Sequence, residues 1–185
     1  MACVAIPYPE QMKEMANKIL MAAAKPYTEA QMKEIPAILN CKHRYFWGND
    51  LNDWEVLRDV FTAEGEGGFK AYWTGGGGGP IDIEKQIGSV MWSIGPQEGM
   101  VPTHYGHNQV VYFIDDTHCQ LLTRMQDRHV YLDDGEVYGG WGMYIDDLLK
   151  CADGVWRIET IRLEYGQMEG QLRCVRRMME QQAQG

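Results

Sequence analysis

The chain has 185 residues, 45% of them hydrophobic and 23% charged, which suits one globular domain with a real core and excludes a disordered or fibrous chain. A formal charge of -9 argues against a nucleic-acid partner, whose phosphates require clustered Lys and Arg. Five scattered cysteines without a Cys-x-x-Cys pair read as a reduced chain; Lys13, Glu14 and Lys18 interrupt any signal-peptide core and no membrane span follows, so a cytoplasmic address is expected.

In chain order, residues 8 to 24 place Met12, Met15 and Ile19 at helical spacing and predict an amphipathic lead helix, ended by Lys25-Pro26. Its Met stripe packs against the domain or a neighbouring subunit. Thr28 opens a second helix carrying Ile35, Ile38, Leu39 and Tyr45 or Phe46, in which Pro36 marks a kink or a fresh start. Residues 49 to 52 interrupt it, and Asn52 or Asp53 caps a third helix with Trp54, Leu57, Val60 and Phe61 on its buried side. The glycine-rich residues 64 to 80 end in the run Gly75 to Gly79. No Gly-Lys-Ser/Thr follows, so the run reads as a flexible loop or pocket lid, not a phosphate cradle. Residues 81 to 94 return to helical spacing.

From Gly106 the period changes to two. Residues 110–114, 118–132, 136–150 and 155–165 predict an antiparallel meander, its turns marked by Asp115-Asp116-Thr117, Asp133-Asp134-Gly135 and Ala152-Asp153-Gly154. Residues 167–182 suggest a closing helix interrupted by Gly170. Three segments are expected: a helical extension over 1–27, a catalytic domain over 28–166, and a C-terminal helix and tail over 167–185.

Several local motifs stand in a telling order: Arg44-Tyr45-Phe46 with Asp50 and Trp54, Thr103-His104-Tyr105-Gly106-His107-Asn108, Asp127-Arg128, and Asp153-Gly154-Val155-Trp156. Over about residues 34 to 165 this order resembles the SnoaL-like branch of the NTF2-like superfamily. The pattern is similar to that of bile-acid 7-alpha-dehydratase, scytalone dehydratase and lindane dehydrochlorinase. The resemblance implies an α+β fold, a cone-shaped barrel with N-terminal helices packed on a curved, mainly antiparallel sheet around an apolar pocket. It also implies His104 as a proton-abstracting base oriented by Asp50, Tyr45 as a phenol polarising a substrate oxygen, and Asp127 as a second pocket carboxylate. Such members need no metal or cofactor and are commonly homotrimers, with dimers in other branches. The N-terminal extension and the glycine run depart from the pattern.

The residues support that chemistry on their own terms. Imidazole accepts and returns a proton near neutral pH, and a carboxylate on its far nitrogen fixes the tautomer. Tyr45 and Asp50 are five apart, so both line one pocket only if the helix loosens near Gly48. Strand parity puts Met125, Asp127, His129 and Tyr131 on one face, and Gly140, Gly142 and Tyr144 on one face of the next strand, leaving room for a ligand. Trp47, His129, Tyr131 and Tyr144 are the candidate substrate-binding residues. Asp127 either works in the pocket or pairs with Arg128 or a neighbouring Arg. His107 is expected to face away and bond backbone. His104, His107, Asp127 and His129 have the ligand types for iron or zinc, but strand parity does not favour their convergence.

The expected function is a cofactor-independent acid/base lyase, a dehydratase or a formaldehyde-releasing carbon-carbon lyase, acting on a hydroxylated cyclic or aromatic substrate such as a steroid or a lignin-derived phenolic. An isomerase or cyclase of the ketosteroid isomerase type is the alternative within catalysis. A non-catalytic β subunit of a ring-hydroxylating dioxygenase is the alternative outside it. The expected partners are a small hydrophobic substrate and further copies of the chain, with no nucleic acid and no membrane.

Overall fold

Residues 3–75 and 77–183 are described by the computed structural model. Gly76, inside the glycine run, lies outside the described residues. A short strand β1 (Val4–Ala5) precedes three helices, α1 (Glu10–Ala22), α2 (Glu29–Asp50) and α3 (Trp54–Val60). Strands β2 (Lys70–Trp73) and β3 (Gly77–Pro80) follow, then helix α4 (Ile83–Ile94). Next come β4 (Met100–Val101), β5 (His104–Phe113), β6 (His118–Tyr131), β7 (Val137–Lys150), β8 (Trp156–Glu169) and helix α5 (Arg173–Ala183).

The sheet runs β3-β2-β8-β7-β6-β4, with β1 beside β8 and β5 beside β6. Only the β2–β8 pair is parallel among the strand pairs of the described residues, so this is the predicted antiparallel meander with an added edge. Register shifts at His107/Val110, Trp141/Gly142 and Asp147/Leu148 mark bulges, which bend strands and curl a sheet around its concave face. The fold is α+β, with helices packed on a curved, mainly antiparallel sheet as expected, and the sheet stays open.

Helix α2 lies across that concave face. Thr28 and Gln31 form a capping box at its start, a feature worth about 1 kcal/mol. Its buried stripe comprises Ile38, Cys41, Lys42, Tyr45, Phe46 and Asn49, at helical spacing. The helix is unbroken across Pro36 and runs on to Asp50, where a kink or restart and an interruption at 49–52 were expected. Packing of the buried stripe outweighs the cost of proline, roughly 3 kcal/mol. Asp53 caps α3, accepting from Val56 N at 3.1 Å, and Asn52 makes the turn with φ 53°.

The N-terminal helix packs on the other side of the sheet. Met12, Ala16 and Ile19 of α1 meet Leu122, Met143 and Ile145, which point outward from β6 and β7. The glycine-rich stretch, expected as loop or lid, contributes β2 and β3 to the sheet edge. The β8 strand runs to Glu169, so α5 begins later than the sequence suggested, after a turn at Gly170 with φ 71°. The five cysteines are free, and no helix of the described residues is long and apolar enough to cross a membrane.

Candidate active site

A cavity of about 480 Å³ lies between α2, α4, the sheet and the start of α5, within the usual range for small-molecule sites. Apolar walls come from Trp73, Val90, Ile94, Leu163, Met168 and Leu172. Tyr45, Asn49, Gln86, His104, Asp127, His129, Tyr138, Tyr144 and Tyr165 supply polar groups.

His104 opens β5 directly across from Asp127 on β6, and His129 follows two residues along the same face. Asp50, at the last turn of α2, reaches His104 from behind. Its Oδ1 is 2.6 Å from His104 Nδ1, and its Oδ2 accepts the His104 backbone amide at 3.0 Å. Asp50 itself does not line the cavity; it borders a neighbouring depression with Trp47, Thr103 and Tyr105, which His104 also lines. The helix is not loosened near Gly48, where a Cβ would come within 2.9 Å of Leu57. Tyr45 faces the cavity from the helix side, while Asp50 is connected to the cavity through its contacts with His104.

The second pair sits deeper. His129 Nε2 is 3.4 Å from Asp127 Oδ2, both side chains being nearly inaccessible. Asp127 Oδ1 accepts the Gly140 amide at 2.8 Å, and the Tyr165 hydroxyl donates to Asp127 Oδ2. Burial pushes the Asp127 carboxyl up, but the hydrogen bond from His129, the neighbouring imidazoles and the Tyr165 hydroxyl outweigh it and hold it below the usual carboxylate range. Burial holds His129 below the usual imidazole range despite Asp127. Asp127 is therefore a carboxylate held by this network, and no Arg partners it among the described residues.

His104, Asp127 and His129 each bring one ligand-type atom within 4.8 Å of the others. This corrects the parity expectation: the two strands pair in register, so the three side chains converge. His107 takes no part; it is exposed and its ring stacks on Tyr105 at 6.1 Å.

The Tyr45 and Tyr144 hydroxyls lie 3.4 Å apart, and burial raises both phenols well above their ordinary range, so they remain neutral hydrogen-bond donors. Burial also pushes the Tyr138 phenol up to about 12. Beneath Tyr45 and Tyr144 lies a fully buried ion pair, Lys42 Nζ to Asp146 Oδ2 at 2.9 Å, with the ammonium 3.4 Å from the Tyr144 ring centroid.

Two expected substrate residues lie elsewhere. Trp47 is 64% exposed, because it is two residues from Tyr45 and so about 200° around the helix. Tyr131 has the right parity but lies beyond the cavity, where its hydroxyl accepts the Arg173 amide at 2.8 Å under the Arg173 guanidinium. Gly140 and Gly142 do not make room for a ligand: a Cβ at either would strike β8 carbonyl oxygens, Gln167 O at 2.0 Å and Glu164 O at 2.4 Å. The sequence reading missed Tyr165, Tyr138, Asn49 and Gln86.

A family profile described as a SnoaL-like domain matches residues 30–162. A candidate scytalone dehydratase from Novosphingobium aromaticivorans superposes with a TM-score of 0.64 at 18% identity, over 77% of this chain and 91% of that one. For the hexachlorocyclohexane dehydrochlorinase LinA-type3 from Novosphingobium barchaimii, the TM-score is 0.61 at 15% identity, over 76% and 91%. For the Kfla4162 protein from Kribbella flavida the values are 0.66 and 19%, over 76% and 95%. At such identities the likeness is one of fold. Curated protein sequences yield no match.

Proposed function

This chain belongs to the SnoaL-like domain family, and from that premise we propose that it is a cofactor-independent acid/base lyase acting on a hydroxylated cyclic or aromatic substrate. The observation that carries the reading is the grip of Asp50 on His104 Nδ1, with the same ring lining an apolar cavity. That contact fixes the tautomer and leaves Nε2 as the base.

His104 Nε2 takes a proton from a substrate carbon. The Tyr45 hydroxyl, backed by Tyr144, hydrogen-bonds the substrate oxygen on which charge develops. The imidazolium returns its proton to the departing hydroxyl, so hydrogen and hydroxyl leave as water and the protein is restored. Asp127 remains ionised throughout and, with Tyr165, fixes the ring of His129 against the substrate. If the base instead takes the O–H proton of a hydroxymethyl group, the oxygen forms the formaldehyde carbonyl as the carbon-carbon bond breaks, and the imidazolium protonates the carbanion left behind. General acid-base catalysis of this kind contributes about 10² to 10⁴ in rate.

Incubation with hydroxylated steroids and lignin-type phenolics, read by product mass, tests the proposal. Loss of water or of formaldehyde supports a lyase, and an isomeric product of unchanged mass points to an isomerase or cyclase. A chain that is inert alone and copurifies with a larger iron-containing protein is a dioxygenase β subunit. Convergence of His104, Asp127 and His129 also favours one second reading, a bound divalent cation; loss of turnover on chelation, restored by added metal, would establish it.

A further inference from the structure

The wall that α4 gives to the cavity carries a polar group that acid-base chemistry does not use. Gln86 is 1% exposed and lines the cavity, and among the described residues neither its Oε1 nor its Nε2 has a hydrogen-bond partner. Buried carboxamides are almost always bonded, because leaving one unmatched costs its full desolvation. Gln86, Ser89 and Ser93 fall at three- and four-residue spacing, so one edge of α4 presents a polar stripe to the cavity, deepest at Gln86.

Charge narrows what this group can meet. No Lys or Arg is among the described residues lining the cavity, and Asp127 is its one carboxylate. A ligand anion beside Gln86 would lose its hydration without gaining a counter-charge. A hydroxyl or carbonyl oxygen would satisfy the carboxamide without that cost.

We propose that Gln86 sets the ligand specificity of this cavity by holding a neutral hydroxyl or carbonyl oxygen, separate from the group on which His104 and Asp50 act. The ligand class is then a neutral, largely apolar ring compound with at least two oxygen functions, one engaged by the sheet wall and one by α4. This rests on the cavity being the substrate site, though not on the reaction that follows.

Equilibrium binding tests it with matched pairs that differ by one hydroxyl: bisphenol A against para-cumylphenol, and para,para′-biphenol against para-phenylphenol. Each is titrated by calorimetry into the full chain, its Gln86→Leu variant and its Asp50→Asn variant. In the unaltered chain at least one diol binds about tenfold tighter than its mono-hydroxyl partner, the yield of one well-made hydrogen bond. That gain disappears in Gln86→Leu, where the mono-hydroxyl compounds still bind, and persists in Asp50→Asn. Replacing the second phenol of the diol by a carboxylate removes the gain in the unaltered chain. The proposal is overturned if neither diol gains, if the gain survives in Gln86→Leu, or if the carboxylate binds tighter than the diol. Gln86→Met, which keeps the side-chain length, serves with the same outcomes should Gln86→Leu not fold. Unchanged turnover in Asp50→Asn would sink the acid-base reading while leaving the binding result standing.

Discussion

Asp50 holds His104 twice, by the ring through Oδ1 at 2.6 Å and by the backbone amide through Oδ2 at 3.0 Å. One carboxylate at a helix end thus pins both the start of β5 and the imidazole it carries.

Asp50→Asn should lower kcat by on the order of 10² or more, because the amide no longer stabilises the imidazolium formed during turnover. An asparagine oxygen can still accept the His104 amide, so the melting temperature should move little. Initial rates and a thermal melt on the same preparation check both halves; a near-normal rate disproves the dyad.

Tyr45→Phe should cost less than His104→Ala. The phenol is held neutral and contributes a hydrogen bond to a developing charge, while the imidazole moves the proton. Equal losses in kcat/KM would mean that the phenol itself carries a proton.

Lys42→Met should destabilise the fold by about 3 to 5 kcal/mol, since it strands Asp146 in a fully buried site. Burial already pushes the Asp146 carboxyl up to about 6, against the pull of Lys42. A raised carboxyl favours the fold while protonated and loses that advantage as pH rises through its folded value, so the deficit should be smaller in mild acid than at neutral pH. Adding Asp146→Leu should recover most of the loss. Denaturant titrations at two pH values measure all three effects.

Burial keeps His129 neutral, with the Asp127 hydrogen bond opposing it. The unfolded chain binds this proton first, so the neutral ring's contribution is fully present above about pH 6.5 and fades as pH falls through the lowered folded value. His129→Gln should flatten the fall of melting temperature between about pH 7 and 5. An unaltered slope would show that another group governs acid sensitivity.

Gly140→Ala should destabilise by about 1 to 3 kcal/mol or more, because the added carbon meets the Gln167 carbonyl and displaces the amide that Asp127 accepts. Gly77→Ala, with nothing within 4 Å of the added carbon, should be neutral or stabilising by up to about 1 kcal/mol. Urea midpoints for the two variants provide the contrast.

What the sequence disclosed follows from periodicity. The alternation along 118–132 put Asp127 and His129 on one face, and the structure keeps them there. It could not reveal Tyr165. Parity counted from buried Trp156 and Ile158 points position 165 outward, but the bulge opposite Asp147/Leu148 shifts the strand so that Ile161, Leu163 and Tyr165 turn inward. Gly140 and Gly142 misled for a related reason, since at bulged β7–β8 contacts an absent side chain admits the neighbouring backbone. Trp47 looked like a pocket residue by type alone, and helical phase excludes it. Gln86 carries no sequence signal, because an isolated glutamine in an amphipathic helix normally faces water.

Helix α1 shields the convex side of β6 and β7 at Leu122, Met143 and Ile145, while Thr123, Asp127 and Tyr144 look the other way. Alternate positions of the same two ribbons thus answer to different demands. An engineer can harden the protein against heat by repacking the back without altering what it recognises in front, and can retune selectivity in front without loosening the seam behind.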